Sequence, residues 1–213
     1  MSIAAEIAGK LLQSKAIKLS PQMPFTWASG LRSPIYCDNR TVLSFPAVRS
    51  LVIERMVEKA AAFAAFDVVA GVATAGVPHG VLVADRMQLP FVYVREKAKA
   101  HGRQNQIEGD LQAGARVLVI EDLISTGGSS LKAVEALREA GAVVSGVLAI
   151  FSYQFPEARQ RFELAQCPLD TLSHYDALLE QAISMEYIQP EALDMLREWK
   201  LSPAAWSEAH GGS

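Results

Sequence analysis

Four short, continuously apolar segments are the feature that most constrains the fold of this 213-residue chain. They cover residues 68–72, 90–94, 117–120 and 143–150. Strands with one solvated face alternate apolar and polar residues, whereas strands buried on both faces of a sheet are apolar throughout. Between the last two segments, apolar residues recur at helical spacing and stop before Gly141. We therefore predict an α/β protein with a central, mostly parallel sheet flanked by helices.

The remaining segments complete the organisation of the chain. Helical spacing of apolar residues predicts a helix over residues 1–14, a second from residue 45 through 56 into the Ala-rich segment before Asp67, and two more within 176–200. Residues 19–40 contain three prolines and a glycine, which indicates an irregular or short-stranded segment. We expect one domain over residues 1–213, in which this segment could cover a site.

Composition excludes several classes of protein. Half of the residues are hydrophobic, and 20 Lys and Arg against 23 Asp and Glu give a net charge of -3. This balance argues against nucleic acid or an anionic membrane as the main partner. Cys37 and Cys167 have no metal-ligand spacing and are expected to be free thiols. Because no export signal or membrane-spanning stretch is present in the sequence, we expect a cytoplasmic protein.

The most informative segment is residues 117–130, in which a buried strand is followed by two acids, a Ser/Thr/Gly loop and a helix. Ligands of open parallel sheets bind at the carboxyl ends of the strands. A glycine-rich turn before a helix offers backbone N–H groups and the positive end of the helix dipole. Gly127 and Gly128 permit close approach of the backbone, and the neighbouring hydroxyls add donors. The segment therefore predicts a phosphate site.

The paired acids Glu121 and Asp122 narrow the choice of ligand. They would repel the phosphates of a nucleotide unless they face sugar hydroxyls or a divalent cation held by the ligand. The segment lacks the lysine of a P-loop and does not fit the dinucleotide-binding pattern G-x-G-x-x-G. A phosphorylated sugar satisfies both the loop and the acids.

This segment resembles the phosphoribosyl-diphosphate signature of the type I phosphoribosyltransferases. Residues 25–40 and 95–102 also resemble segments of the orotate phosphoribosyltransferase family, in the same order and spacing. The resemblance, which covers residues 25–150, implies the type I phosphoribosyltransferase fold. It also implies a small hood subdomain, formed mainly by the N-terminal ~40 residues with the C-terminal helices as candidates to join it. It also implies transfer of a phosphoribosyl group from phosphoribosyl diphosphate (PRPP) to orotate, giving orotidine 5′-monophosphate and pyrophosphate in pyrimidine biosynthesis.

The resemblance also implies roles for individual residues. Lys99, His101 and Asp122 are the implied catalytic residues, and Tyr36, Cys37 and Ser125 fall where the family contacts orotate. The implied PRPP-binding residues are Arg95, Lys99, His101, Glu121, Asp122, Leu123, Ile124, Ser125, Thr126, Gly127, Gly128 and Ser129. Mg²⁺ is expected to be held mainly through PRPP and pyrophosphate, so no protein metal ligand is assigned.

Residues 95–103 carry four basic residues and one acid in a chain that is acidic overall. Such a local excess of positive charge suits a polyanion, and the segment is expected to form a mobile loop that closes over pyrophosphate. The resemblance implies that this loop acts across a homodimer. Lys97 matches no family binding position, and His79 is expected to be structural.

The chain departs from the family pattern at four places. Some members have Lys where this chain has Ala28, Tyr-Lys in place of Thr74-Ala75, and Lys in place of Glu96; they have an orotate-binding Arg in place of Tyr153. The carboxylate of orotate is therefore left without its usual cation. Arg40 and Arg32 lie in the matching N-terminal segment and are the candidates to replace it.

Two other functions remain open from the sequence. A phosphoribosyltransferase for another base would share the loop, although the match over residues 25–40 argues against it. A regulator that senses PRPP without turning it over would need a nucleic-acid-binding element, and no basic recognition helix is visible.

Overall fold

The computed structural model describes residues 2–27, 30–96 and 106–212. Its strands are β1 Ile17–Leu19, β2 Phe25–Thr26, β3 Arg32–Ser33, β4 Ile35–Cys37, β5 Val68–Val72, β6 Phe91–Val94, β7 Ile107–Glu108, β8 Arg116–Ile124, β9 Val143–Ser152 and β10 Leu169–His174. Its α-helices are α1 Ile3–Gln13, α2 Pro46–Ala60, α3 Gly76–Met87, α4 Gly128–Glu139, α5 Pro156–Leu164, α6 Tyr175–Ser184, α7 Leu193–Leu201 and α8 Pro203–Ala209. Two 3₁₀ helices cover Asn39–Ser44 and Pro190–Ala192.

The main sheet of the described chain has six strands in the order β10-β9-β8-β5-β6-β7. The first five are mutually parallel, and β7 at the edge pairs antiparallel with β6. All five residues of β5 are buried, and β8 is buried from Val117 to Glu121. Burial on both faces explains the continuous apolar runs of these central strands.

Helices cover both faces of this sheet. On one face, α1, α2, α3, α6 and α7 pack with alternate strand residues such as Val69, Leu118 and Ile150. On the other face, α4 and α5 pack with the intervening residues, among them Val119 and Ala149. This division follows from the period-two alternation of side chains along a strand. The helices thus cover the two faces of the sheet and leave the edge formed by the carboxyl ends of its strands uncovered.

The N-terminal segment forms two small antiparallel sheets, β1–β4 and β2–β3, which we call the hood. The C-terminal helices contact it: the backbone N–H of Arg32 donates to Oγ of Ser207 at 2.8 Å, and Trp27 lies edge-on to Trp199 with ring centroids 6.2 Å apart. Trp27 also stacks on Tyr153 at 6.0 Å. The hood is thus joined by aromatic packing to the end of β9.

The predicted architecture is confirmed. The four apolar runs are β5, β6, β8 and β9, and the predicted helices correspond to α1, α2, α4, α6 and α7. The sequence did not predict β10, only two of whose six residues are buried, or the short edge strand β7. It also did not predict the helices α3, α5 and α8. Both cysteines are free thiols. No helix of the described part of the chain has the length and apolarity needed to span a bilayer.

Candidate active site

The candidate site lies where the strand order of the main sheet reverses. From β5 the chain passes through α3 to β6 on one side, and from β8 it passes through α4 to β9 on the other. The two strands are neighbours in register, with Gly71 opposite Ile120. Their following turns therefore diverge and leave a crevice, which is the usual place for a ligand in an open parallel sheet.

Gly76, the first residue of α3, allows this helix to begin directly beside β8. A Cβ at this position would lie 2.5 Å from the carbonyl oxygen of Ile120 and 3.4 Å from Oε1 of Glu121. No side chain fits against backbone at such a distance. The peptide bond between Ala73 and Thr74 in the preceding turn is cis. The absence of a side chain at 76 thus brings the turn after β5 against the first acid of the pair.

The turn after β8 has the form of an anion cradle. Gly127 adopts a left-handed conformation (φ +78) and precedes the first residue of α4, which glycine does without strain. No side chain caps this helix, so N–H groups of its first turn remain available to a ligand. Ser125 and Thr126 are half-buried, and Ser129 is exposed. The predicted phosphate loop therefore has suitable backbone geometry.

Leu123 and Ile124, which were also predicted to bind PRPP, belong to β8 itself. Ile124 is 1% exposed in the core beneath α4, and Leu123 packs partly against the opposite core. The carbonyl oxygen of Ile124 accepts a hydrogen bond from the N–H of Tyr153 at 3.0 Å. The side chains of Leu123 and Ile124 thus support the loop from below.

Glu121 is turned toward the start of α4. It is 4% exposed; its Oε2 accepts hydrogen bonds from Oγ of Ser130 at 3.1 Å and Oγ of Ser129 at 3.4 Å. Its Oε1 accepts from the backbone N–H of Asp122 at 3.0 Å. Glu121 therefore ties the strand end to the helix that carries the loop.

Asp122 is half-buried and lies toward the hood segment. The Nδ2 of Asn39 donates to the carbonyl oxygen of Asp122 at 2.7 Å, which joins the 3₁₀ helix to the end of β8. Arg40, which follows Asn39 in the chain, lies close enough to Asp122 for its positive charge to oppose part of the rise that burial causes in the pKa of Asp122. The structure thus gives the two acids different neighbours, because successive residues of a strand point to opposite faces.

The surroundings of Glu121 and Asp122 raise the pKa of both acids. Burial raises the pKa of Glu121, and the nearby charge of Asp122 raises it further. Burial also raises the pKa of Asp122, opposed by its hydrogen bond with Glu121 and more weakly by Arg40. Two carboxylates side by side in a poorly solvated crevice repel one another. A ligand that brings hydroxyl donors or a cation relieves this repulsion, which is what the sequence predicted for this pair.

His79 of α3 and Asn39 are fully buried next to this crevice. Neither ring nitrogen of His79, nor Oδ1 of Asn39, has a hydrogen-bond partner among the described residues. Burial lowers the pKa of His79 to about 4; the Asn39 backbone lies close enough to oppose this shift, without a well-formed hydrogen bond. His79 is therefore a neutral ring inside a helix, consistent with its predicted structural role.

The predicted orotate contacts Tyr36 and Cys37 lie on β4 of the hood. Tyr36 is 39% exposed, and the centroid of its ring lies 5.8 Å from that of Phe25. Burial raises the pKa of the Cys37 thiol, and the charges of Asp122 and Asp38 add to this shift. The structure thus brings β4 close to Asp122, with an aromatic face beside it.

Arg95 lies at the end of β6, on the rim of an open cavity of about 640 Å³ that Thr74, Pro78 and Tyr93 also line. Its backbone N–H donates to the carbonyl oxygen of Gln106, and its Nη1 is 3.5 Å from Oε1 of Glu108. Lys99 and His101, predicted as catalytic and PRPP-binding residues, lie outside the described residues, as does Ala28. Of the predicted basic loop, the structure therefore places Arg95 and Glu96.

The described residues contain no group of three or more His, Cys, Asp or Glu side chains placed to hold a metal ion. Glu121 and Asp122 supply only two carboxylates, and both have raised pKa values. Mg²⁺ takes oxygen ligands, keeps several waters and is commonly shared with substrate phosphates. Glu121 and Asp122 could therefore serve as ligands to a Mg²⁺ ion that arrives with a phosphorylated ligand.

The fold and the site, with an acid pair and an uncapped glycine turn at the switch point of a parallel sheet, fit a phosphoribosyltransferase. Residues 42–160 match the model of the phosphoribosyl transferase domain family. Over 209 residues the chain is 53% identical to an orotate phosphoribosyltransferase of Listeria monocytogenes, covering 98% of this chain and all of that one.

Solved structures agree with this result. The crystal structure of orotate phosphoribosyltransferase from Aeropyrum pernix superposes with a TM-score of 0.74 at 29% identity, covering 86% of this chain and 99% of that chain. The Mycobacterium tuberculosis enzyme in complex with PRPP gives a TM-score of 0.65 at 25% identity, covering 83% and 98%. The chain belongs to the orotate phosphoribosyltransferase family, and it is a pentosyltransferase by that membership.

Three residues of the site were not among those predicted from the sequence. Asn39, Gly76 and Ser130 act through contacts with Asp122 or Glu121 that span 83, 45 and 9 positions of the chain. Asn39 lies within the matching hood segment, which is a signal in the sequence. Ser130 is the last residue of the predicted phosphate segment 117–130. Gly76 shows no comparable pattern, because its importance arises from the backbone that lies opposite it.

Proposed function

We propose that this protein transfers the 5-phosphoribosyl group of PRPP to orotate with the help of Mg²⁺, releasing pyrophosphate and orotidine 5′-monophosphate. The observation that carries this proposal is the acid pair joined to the glycine turn of α4 at the switch point between β5 and β8. Family membership supports orotate as the base.

The 5′-phosphate is assigned to the backbone N–H groups of residues 125–129 at the start of α4. Glu121 and Asp122 are assigned to the ribose hydroxyls, Asp122 being the more available because Glu121 already accepts from Ser130. Positive charge develops on the ribose ring as the bond to pyrophosphate breaks, and a nearby carboxylate stabilises it. Ionised Asp122 thus favours the transition state over the bound substrate.

Pyrophosphate is assigned to the turn after β5 that includes Thr74, with Arg95, Lys99 and His101 of the basic segment 95–103 as its proposed contacts. Mg²⁺ held mainly through PRPP and pyrophosphate would neutralise charge on the leaving group, with Glu121 and Asp122 as the carboxylates beside the ribose. Tyr36 offers an aromatic face, and Cys37 and Ser125 offer polar groups, to the flat orotate ring. The free thiols of Cys37 and Cys167 support a reducing, cytoplasmic location.

Turnover with different bases tests the proposal directly. The purified protein is incubated with PRPP, Mg²⁺ and orotate while loss of orotate absorbance is followed, with uracil and hypoxanthine as parallel substrates. We expect consumption of orotate alone, abolished by chelation of Mg²⁺ and by Lys99→Ala but not by Lys97→Ala. Consumption of another base would replace orotate as the substrate, and binding of PRPP without turnover would favour a sensor.

We also propose a homodimer in which residues 95–103 of one subunit serve the site of the other. Mixing two inactive variants, Lys99→Ala and Asp122→Asn, tests this arrangement. Each heterodimer would then contain one complete site, so random reassociation restores about a quarter of wild-type activity. If the loop serves its own subunit, the mixture stays inactive.

A further inference from the structure

The carboxylate of orotate requires a counter-charge that the residues described so far do not supply. An anion moved from water into a protein site loses affinity unless hydrogen bonds and an opposite charge replace its hydration. Asp122 and Asp38, near the proposed base site, are themselves acidic. Recognition of orotate over a base without the carboxylate therefore calls for a nearby cation.

Tyr153 cannot fill this role. Its side chain is 2% exposed and lies among Trp27, Phe155 and Trp199, with ring centroids 5.3 to 6.0 Å away. Burial raises the pKa of its phenol well above the ordinary value, so the ring stays uncharged. Tyr153 thus supports the hood by packing and carries no positive charge.

Arg32 is engaged elsewhere. Its Nη1 donates to Oγ1 of Thr26 at 3.1 Å, and its backbone N–H is held by Ser207 of α8. Its Nε is buried without a partner among the described residues. These contacts fix Arg32 between β2 and the C-terminal helix.

Arg40 is placed differently, at the first turn of the 3₁₀ helix that Asn39 ties to Asp122. Its Nε and Nη2 donate to the two oxygens of Asp38 at 2.6 and 3.0 Å. This two-point pairing fixes the plane of the guanidinium. The side chain of Arg40 is nevertheless 60% exposed, and it lies near both Asp122 and Tyr36.

A guanidinium has five N–H donors, of which Asp38 uses two. The edge that includes Nη1 has no partner among the described residues, and such an edge matches a carboxylate. An orotate ring that lies against Tyr36, with its reacting side toward Asp122, would present its carboxylate to the Nη1 edge of Arg40. We propose that Arg40, oriented by Asp38, binds the carboxylate of orotate and sets the preference for this base.

This proposal rests on the proposed function, and product binding separates the two. Orotidine 5′-monophosphate and uridine 5′-monophosphate differ only by the carboxylate, so the ratio of their Kd values isolates its contribution. By calorimetry we expect wild-type protein to bind the orotidine nucleotide more tightly. Arg40→Gln should reduce this preference by about 10- to 100-fold, the range of a charge-assisted hydrogen bond, with Arg40→Lys restoring part of it.

Kinetics provide the second measurement. Arg40→Gln should raise KM for orotate by a similar factor while KM for PRPP stays unchanged, and Arg32→Gln should leave the nucleotide preference intact. An equal loss of affinity for both nucleotides would show a structural role and overturn the proposal, as would a loss of preference in Arg32→Gln alone. If wild-type protein instead failed to turn over orotate, the proposed function itself would fail, whatever Arg40 does.

Discussion

The side-chain amide of Asn39 donates a 2.7 Å hydrogen bond to the main-chain carbonyl oxygen of Asp122. Asn39 is fully buried and begins the 3₁₀ helix that follows the hood, whereas Asp122 lies near the carboxyl end of β8. One bond thus connects the segment assigned to the base with the strand end assigned to the ribose. Its geometry sets how the two halves of the site face each other.

Asn39→Ala should therefore impair catalysis. Loss of this buried hydrogen bond leaves the Asp122 carbonyl without its donor, at a cost of about 1–3 kcal/mol, and frees the 3₁₀ helix from β8. We expect kcat/KM for orotate to fall about 10-fold or more. Gln112→Ala, which removes an exposed amide bonded to Asp110, is the control. Equal activity of the two variants would refute a positioning role for Asn39.

Gly76→Ala tests the close approach of α3 to β8. A methyl group here meets the backbone at Ile120, which cannot move without disturbing the sheet. We expect a loss of about 1–3 kcal/mol in the free energy of unfolding, measured in urea.

Gly9→Ala is the matched control, because Gly9 is buried in α1 with its nearest neighbour at 3.5 Å from the added Cβ. Alanine in a helix interior should leave stability equal or raise it by about 0.5–1 kcal/mol. A tolerated Gly76→Ala would mean that the turn after β5 has room to shift.

Glu121→Gln should change how stability depends on pH. Burial raises the pKa of Glu121 in the folded protein above its ordinary value of 4.5. Folded protein therefore retains a proton that the unfolded chain releases, so the free energy of unfolding falls as pH rises from about 4.5 through the raised folded pKa. Thermal unfolding at about pH 5 and about pH 8 should show a smaller decrease in Tm for the variant than for wild type. Parallel changes in both proteins would contradict the raised pKa.

His79→Gln should remove a loss of stability that wild-type protein shows as the pH falls. The folded pKa of His79 is about 4 against an ordinary value of 6.5, so between these values the unfolded chain binds the proton and wild-type stability falls as pH falls. Between about pH 7 and about pH 5 this amounts to about 2 kcal/mol.

Because His79→Gln has no titrating ring at this position, we expect it to avoid this loss of stability. Urea unfolding at about pH 7 and about pH 5 measures the difference. His210→Gln, at an exposed histidine stacked on Trp206, should retain the wild-type dependence. The prediction for His79 fails if its variant loses as much stability on acidification as wild type.

Much of the fold was accessible from the sequence because its signals are local. The unbroken apolar runs of β5 and β8 reflect burial on both faces, and the acids followed by Gly127 mark a strand end and a helix start. A strand such as β10 escaped prediction because its sequence, LDTLSH, mixes polar and apolar residues and its pairing with β9 is decided by a distant partner.

The sequence by itself determined the parallel α/β class, the phosphate loop and the pairing of Glu121 with Asp122, since each depends on residues close together in the chain. Only the tertiary structure decided that Glu121 faces Ser130 while Asp122 is held by Asn39, and that Arg40 and not Arg32 stands beside the acid pair. These relationships join segments from the hood and the main sheet. Their physical basis is the packing of elements far apart in sequence, which no local pattern encodes.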